Sequence, residues 1–183
     1  MDSLLLIKNL IKDKDIATIA PTSKSVINEM FKKINFKKDL TIIEYGPGTG
    51  VITKALLNNI SSASKIIAIE KNRQMCSEAM KIRDKRLKIL KGNVKNLIKE
   101  VKKITNGKKA DYVISGIPFS MIEKKQRIEI VHQTKNILSK NGKFILYQFL
   151  PLMKKYLDKE FEDVSLSFKL ANIPPLFIIA ASK

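Results

Sequence analysis

Between residues 41 and 147, short β-branched apolar runs alternate with stretches whose apolar residues recur every three or four positions. The runs at 40–45, 65–70, 86–90, 110–115 and 142–148 are too short for buried helices and lack the alternation of half-exposed strands, so they read as strands covered on both faces. Helical spacing fills the gaps at 50–59, 72–82, 94–104 and 121–138. On the first of these Val51, Ala55 and Leu56 are expected inward, and on the last Ile122, Ile130, Val131 and Ile137. Asn141-Gly142 reads as the turn into the fifth strand. After Pro151, a short helix at 152–158 leads to runs at 161–170 and 176–182, which pair most simply as antiparallel neighbours. The alternation predicts an α/β domain with a seven-stranded, mostly parallel sheet and helices on both faces.

Two helical patterns precede the sheet. Residues 22–34 start with Thr22 or Ser23 as a cap and form a covering helix. In residues 3–12, Leu4, Leu6, Ile7, Leu10 and Ile11 share one helical face and Lys8, Asn9, Lys12 and Asp13 the other, with Leu5 the misfit. Such a helix either packs on the domain or lies in a membrane interface, where it would also lid the site.

The chain has 183 residues, which suits one domain, with 1–36 as N-terminal helices and 37–183 as the core. No apolar run is long enough to span a bilayer, the N-terminus does not read as a secretory signal, and the single Cys76 cannot form an internal disulfide. These features predict a cytoplasmic monomer that associates peripherally with a membrane. The formal charge of +18 predicts attraction to polyanions, either nucleic acid or anionic lipid, although AT-biased coding also enriches lysine. With only four arginines, Arg73, Arg83, Arg86 and Arg127, the charge favours diffuse attraction over bidentate readout. No metal requirement is expected.

The strongest chemical signal is Glu44-Tyr45-Gly46-Pro47-Gly48-Thr49-Gly50, where a strand breaks into three alternating glycines. A dinucleotide fingerprint would put its third glycine at position 51, which holds Val51. Glu70 ends the next strand, twenty residues beyond Gly50, where a carboxylate can accept from both hydroxyls of a ribose. The pair, glycine loop and acid, resembles motif I and the ribose-binding acid of the class I S-adenosylmethionine-dependent methyltransferases. That resemblance implies S-adenosylmethionine as cofactor and Glu44, Tyr45, Gly46, Gly48, Gly50, Glu70, Lys71, Asn93, Val94 and Ser115 as its contacts. Asn93 stands where many members carry an acid facing the adenine amino group, and it also reads as a helix cap.

The acceptor site is expected in Ser115-Gly116-Ile117-Pro118-Phe119-Ser120. Adenine aminomethyltransferases place an asparagine where Gly116 stands, so its amide can accept from the target amine. The segment instead resembles that of bacterial phospholipid N-methyltransferases, as do Ala17-Thr18-Ile19-Ala20-Pro21-Thr22-Ser23 and Asn172-Ile173-Pro174-Pro175. This implies methylation of the phosphatidylethanolamine headgroup, toward phosphatidylcholine, at an anionic membrane surface met by helix 3–12. Tyr45, Ser115, Gly116, Ile117 and Phe119 would face the amine, with Phe119 either giving a cation–π contact or filling the core. Tyr147, like Tyr45 near a strand end, is expected to touch the cofactor or the amine, and His132 to lie on a helix surface. The alternatives are an rRNA adenine N6-methyltransferase, which the missing asparagine and the lack of a C-terminal helical segment disfavour, and a module that binds cofactor or membrane without catalysis.

Overall fold

The computed structural model describes residues 23–169 and 175–183; the helix expected at 3–12 and most of the segments at 17–23 and 172–175 lie outside them. The elements run α1 (Lys24–Phe31), β1 (Thr41–Tyr45), α2 (Val51–Leu57), β2 (Lys65–Glu70), α3 (Arg73–Ala79), β3 (Leu87–Lys91), α4 (Val94–Ile104) and β4 (Ala110–Ser115). They continue with α5 (Lys124–Ile137), β5 (Leu138–Gln148), α6 (Lys154–Leu157), β6 (Asp163–Lys169) and β7 (Leu176–Ser182). Short 3-10 turns at Phe119–Met121 and Pro151–Met153 lead into α5 and α6.

The seven strands form one sheet in the order β3-β2-β1-β4-β5-β7-β6. β1 to β5 pair in parallel and β7 runs antiparallel between β5 and β6, as the sequence pattern predicts. One face packs Val26 and Met30 of α1 and Ile52, Leu56 and Leu57 of α2 against Ile42, Ile66, Ile114 and Ile145. The other packs Val94 and Val101 of α4, Ile130 and Val131 of α5, and Leu157 of α6 against Ile43, Val113 and Phe144. Period-2 alternation along β1 therefore sends Ile42 and Glu44 toward α2, and Ile43 and Tyr45 toward α4 and α5.

Three local expectations are corrected. Val51 is 42% exposed, and Ile52, Thr53, Leu56 and Leu57 form the buried face of α2. The cause is Gly50, which caps the helix in a left-handed conformation (φ 85°) and turns the first residue outward. β5 starts at Leu138, directly after α5, so Asn141-Gly142 is no turn between elements. The pairing jumps from Ala110↔Leu138 to Tyr112↔Lys143, and Gly142 lies in that bulge, where a Cβ would come 3.0 Å from the Ala110 carbonyl oxygen. β6 starts at Asp163 and not at 161, because Phe161 turns into the core before the strand begins. The cap of α1 is Ser23, whose hydroxyl accepts from Val26 N–H at 3.4 Å.

Backbone–side chain bonds fix the N-terminal edge of the sheet: Thr41 N–H donates to Asp111 Oδ2 (2.8 Å), Leu40 N–H to Ser64 Oγ (2.9 Å) and Asn35 N–H to Tyr112 Oη (2.9 Å). Among the described residues no helix is long and apolar enough to cross a membrane. Nor does any group of histidine, cysteine or acidic residues there have the arrangement to hold a metal ion.

Candidate active site

The loops that leave β1, β3 and β4 start side by side at the carboxyl edge of the sheet. Gly46 N–H donates to Ile69 O (2.9 Å), Gly116 N–H to Tyr45 O (2.9 Å) and Gly92 N–H to Glu70 O (2.8 Å), so the sheet ladder continues one residue beyond these strands. Gly46, Gly48 and Gly50 have φ of 70°, 58° and 85°, a region costly to any residue with a Cβ. The loop they form folds back onto the acceptor segment. A Cβ on Gly46 would lie 2.8 Å from Ile117 Cγ2, so the two loops pack directly on each other.

Two carboxylates hold the glycine loop. Glu44 is fully buried under α2 and accepts from the Thr53 hydroxyl at 2.6 Å. Burial pushes its carboxyl up to about 7, helped by the nearby charge of Glu70 and opposed by the Thr53 hydrogen bond. Its Oε1 has no hydrogen-bond partner among the described residues. A buried carboxyl with one unpaired oxygen at the base of the glycine loop suits a ligand that brings an ammonium to it. Glu70 accepts from Gly48 N–H through Oε2 (3.1 Å) and from Asn72 N–H through Oε1 (2.7 Å). It thus ties the loop after β1 to the start of α3, and each oxygen keeps a second lone pair for a diol. These donors and acceptors fit S-adenosylmethionine.

The other expected contacts divide. Asn93 is exposed and caps α4, its Oδ1 accepting from Lys95 N–H at 3.0 Å and keeping a second lone pair for an adenine amino group. Val94 is buried in the core, so only its backbone faces the loop. Lys71 is exposed beside Glu70. Tyr45 does not reach the cofactor or the amine with its side chain. It is fully buried on the face opposite Glu44, pairs with the Thr134 hydroxyl at 3.2 Å and packs edge-on against Phe144. Burial raises its phenol beyond any physiological titration. Phe119 is also fully buried, because the 3-10 turn after Pro118 rolls its ring into the core, and it offers no cation–π face. Ser115 has no exposure; strand alternation sends it to the Tyr45 face, where its hydroxyl has no partner among the described residues. His132 is on the helix surface as expected, its side chain 61% exposed and Nδ1 3.6 Å from Glu160.

Gly116 and Ile117 are partly exposed and form the acceptor rim. Gln148 at the end of β5 donates its Nε2 to the Ile117 carbonyl at 3.2 Å and holds that oxygen in place. The preceding residue, Tyr147, brings its hydroxyl to 2.0 Å from where a Cβ on Gly116 would lie. The sequence reading missed Thr53 and Gln148. Both are polar positions inside otherwise apolar faces, which is the signal that marks them.

This sheet order, a left-handed glycine loop after β1 and an acid at the end of β2 define a class I S-adenosylmethionine-dependent methyltransferase. The ribosomal RNA adenine dimethylase family model matches residues 21–141, and the chain belongs to that family. An ornithine lipid N-methyltransferase of Singulisphaera acidiphila is 24% identical over 166 residues, covering 87% of this chain and 84% of that protein. A ribosomal RNA small subunit methyltransferase A of Blochmanniella pennsylvanica is 32% identical over 83 residues, which span 45% of this chain and 31% of that protein. Among solved structures, a precorrin-6y C5,15-methyltransferase of Geobacter metallireducens superposes with TM-score 0.70 at 18% identity, covering 90% of this chain and 91% of that one. An O-methyltransferase of Thermotoga maritima gives TM-score 0.70 at 16% identity over 95% and 71%.

Proposed function

We propose that the chain methylates the headgroup amine of a membrane amino-lipid, with phosphatidylethanolamine and its partly methylated forms as substrates. The observation that carries this reading is Gly116, which puts no amide at the acceptor rim. A nucleobase amine is recognised in plane by paired acceptors, and here the side-chain member of the pair is missing. The relative that shares most of its length with this chain is named for an amino-lipid, which makes an ornithine lipid the nearest competing substrate.

When bound, S-adenosylmethionine supplies a methyl already activated on a sulfonium. The chain's part is placement. Glu44, Glu70 and the glycine loop would hold the cofactor, and the Ile117 carbonyl, aimed by Gln148, would accept from the incoming amine. The amine would react as the free base, its lone pair taking the methyl that the sulfonium supplies, and its proton would pass to water. Helix 3–12 would adsorb on an anionic surface and bring the headgroup to the rim, about 1 kcal/mol per lysine adding to its apolar burial. The protein would then act as a monomer on the cytoplasmic face of a membrane.

Methylation of rRNA adenine is the second reading, favoured by the family match and the +18 charge. Lipid mass spectrometry of a host expressing the chain tests the choice. Mono- and dimethylated phosphatidylethanolamine are expected, methylated ornithine lipid would reassign the headgroup, and an unchanged lipid profile would contradict the proposal.

A further inference from the structure

Gly116 lacks a side chain for a reason that its backbone does not supply. Its φ is outside the left-handed region that the motif glycines occupy, so the backbone itself accommodates any residue. What excludes a side chain is Tyr147. A Cβ at position 116 would meet Tyr147 Oη at 2.0 Å, Cζ at 2.5 Å and Cε1 at 3.2 Å. The first two distances are far inside van der Waals contact, and the obstacle is the rigid end of a ring. The phenol therefore occupies the volume into which an asparagine at 116 would project.

Two consecutive residues of β5 thus reach the acceptor rim, one by each face of the strand. Gln148 fixes the Ile117 carbonyl, and Tyr147 sets its hydroxyl over Gly116. Register explains why they can: Ser115 pairs with Leu146, so the next residues on β4 and β5 lie alongside each other where β4 gives way to its loop. Tyr147 is partly exposed, packed on its inner side against the α1–α2 face of the core. Tyr45 and Phe119 have turned their rings into the core, which leaves Tyr147 as the aromatic side chain shown at this rim.

The geometry points to Tyr147 as the residue that contacts the acceptor nitrogen and selects it, in place of the asparagine amide. This assignment rests on the proposed amine methylation. A phenol oxygen accepts from one N–H of a neutral alkylamine, and the Ile117 carbonyl accepts from the other. Holding both N–H groups directs the lone pair at the sulfonium methyl. The phenol keeps its own proton throughout, and the proton that the nitrogen loses leaves to water. A third methyl makes the nitrogen permanently cationic, and the ring face that replaces Phe119 attracts it. The same ring fills space that a planar base would need beside Gly116, so one residue favours alkylamine and disfavours adenine.

The test uses the full chain with vesicles of phosphatidylethanolamine and phosphatidylglycerol, labelled S-adenosylmethionine, and rRNA as the competing acceptor. Tyr147→Phe keeps the ring and should lower kcat for the first methylation at least tenfold, leaving cofactor affinity unchanged. Gly116→Asn should melt early in the native background and recover its melting midpoint beside Tyr147→Ala. A Tyr147→Phe enzyme with wild-type kcat overturns the assignment, as does a Gly116→Asn single variant that is as stable as its parent. A wild-type enzyme that methylates rRNA and no lipid overturns the proposed function and this assignment with it, whereas loss confined to Tyr147→Phe supports both.

Discussion

Glu44 shows how much chemistry a single buried residue can concentrate. Its carboxyl titrates near 7 in the folded chain against 4.5 ordinarily, so between those values the folded state holds a proton that the unfolded chain releases. Stability from this group is therefore complete below about 4.5 and is lost as pH rises through about 7, by about 3 kcal/mol in all. Calorimetric melting of the cofactor-free protein across that window should show the decline, and Glu44→Gln should flatten it; identical profiles would mean that the carboxyl is not protonated when buried. Both oxygens of Glu70 accept backbone N–H groups. Glu70→Ala should weaken S-adenosylmethionine binding by a hundredfold or more, about 3 kcal/mol by titration calorimetry, and retained affinity would remove it from the ribose site. Both acids were legible in the sequence because each ends an apolar strand beside a turn. The failures of Tyr45 and Phe119 have one cause: a sequence gives a residue's distance from the site along the chain, but alternation and a 3-10 turn decide which way its ring points.

Elements were legible where hydrophobic period and length agreed, which covers all five parallel strands and the antiparallel pair. Errors of phase arose where backbone geometry intervened. Gly50 shifted the buried face of α2 by one residue, and the close approach of Gly142 to Ala110 absorbed a presumed turn into a bulge of β5. α4 offers a test at this scale, because Asn93 serves the helix and is expected to serve the adenine. Asn93→Ala should cost about 1 kcal/mol through loss of the cap, visible as a lower melting midpoint, while Asn93→Asp should restore it. Cofactor affinity measured on the same variants separates the roles: a fall with Ala that Asp reverses supports the adenine contact, and an affinity equal in all three assigns Asn93 to the helix alone.

At the scale of the whole molecule the charge of +18 is shared by both readings, and its chemistry distinguishes them. Two of the four arginines are committed to the fold. Arg86 forks onto Asp84 (Nε 3.0 Å, Nη2 2.7 Å) and reaches the Ile60 carbonyl, and Arg127 holds the carbonyls of Ile122 and Ser120 behind the acceptor segment. The remaining positive surface is chiefly lysine, suited to diffuse attraction that salt weakens. Cofactor class was readable from a glycine spacing, whereas the closeness of Tyr147 to Gly116 was not, because the two lie thirty-one residues apart along the chain. The most direct test presents labelled S-adenosylmethionine together with anionic phosphatidylethanolamine vesicles and rRNA in one reaction, and follows where the methyl goes. The account predicts label in the lipid amine, declining as salt is raised; label in rRNA adenine with none in lipid would contradict it.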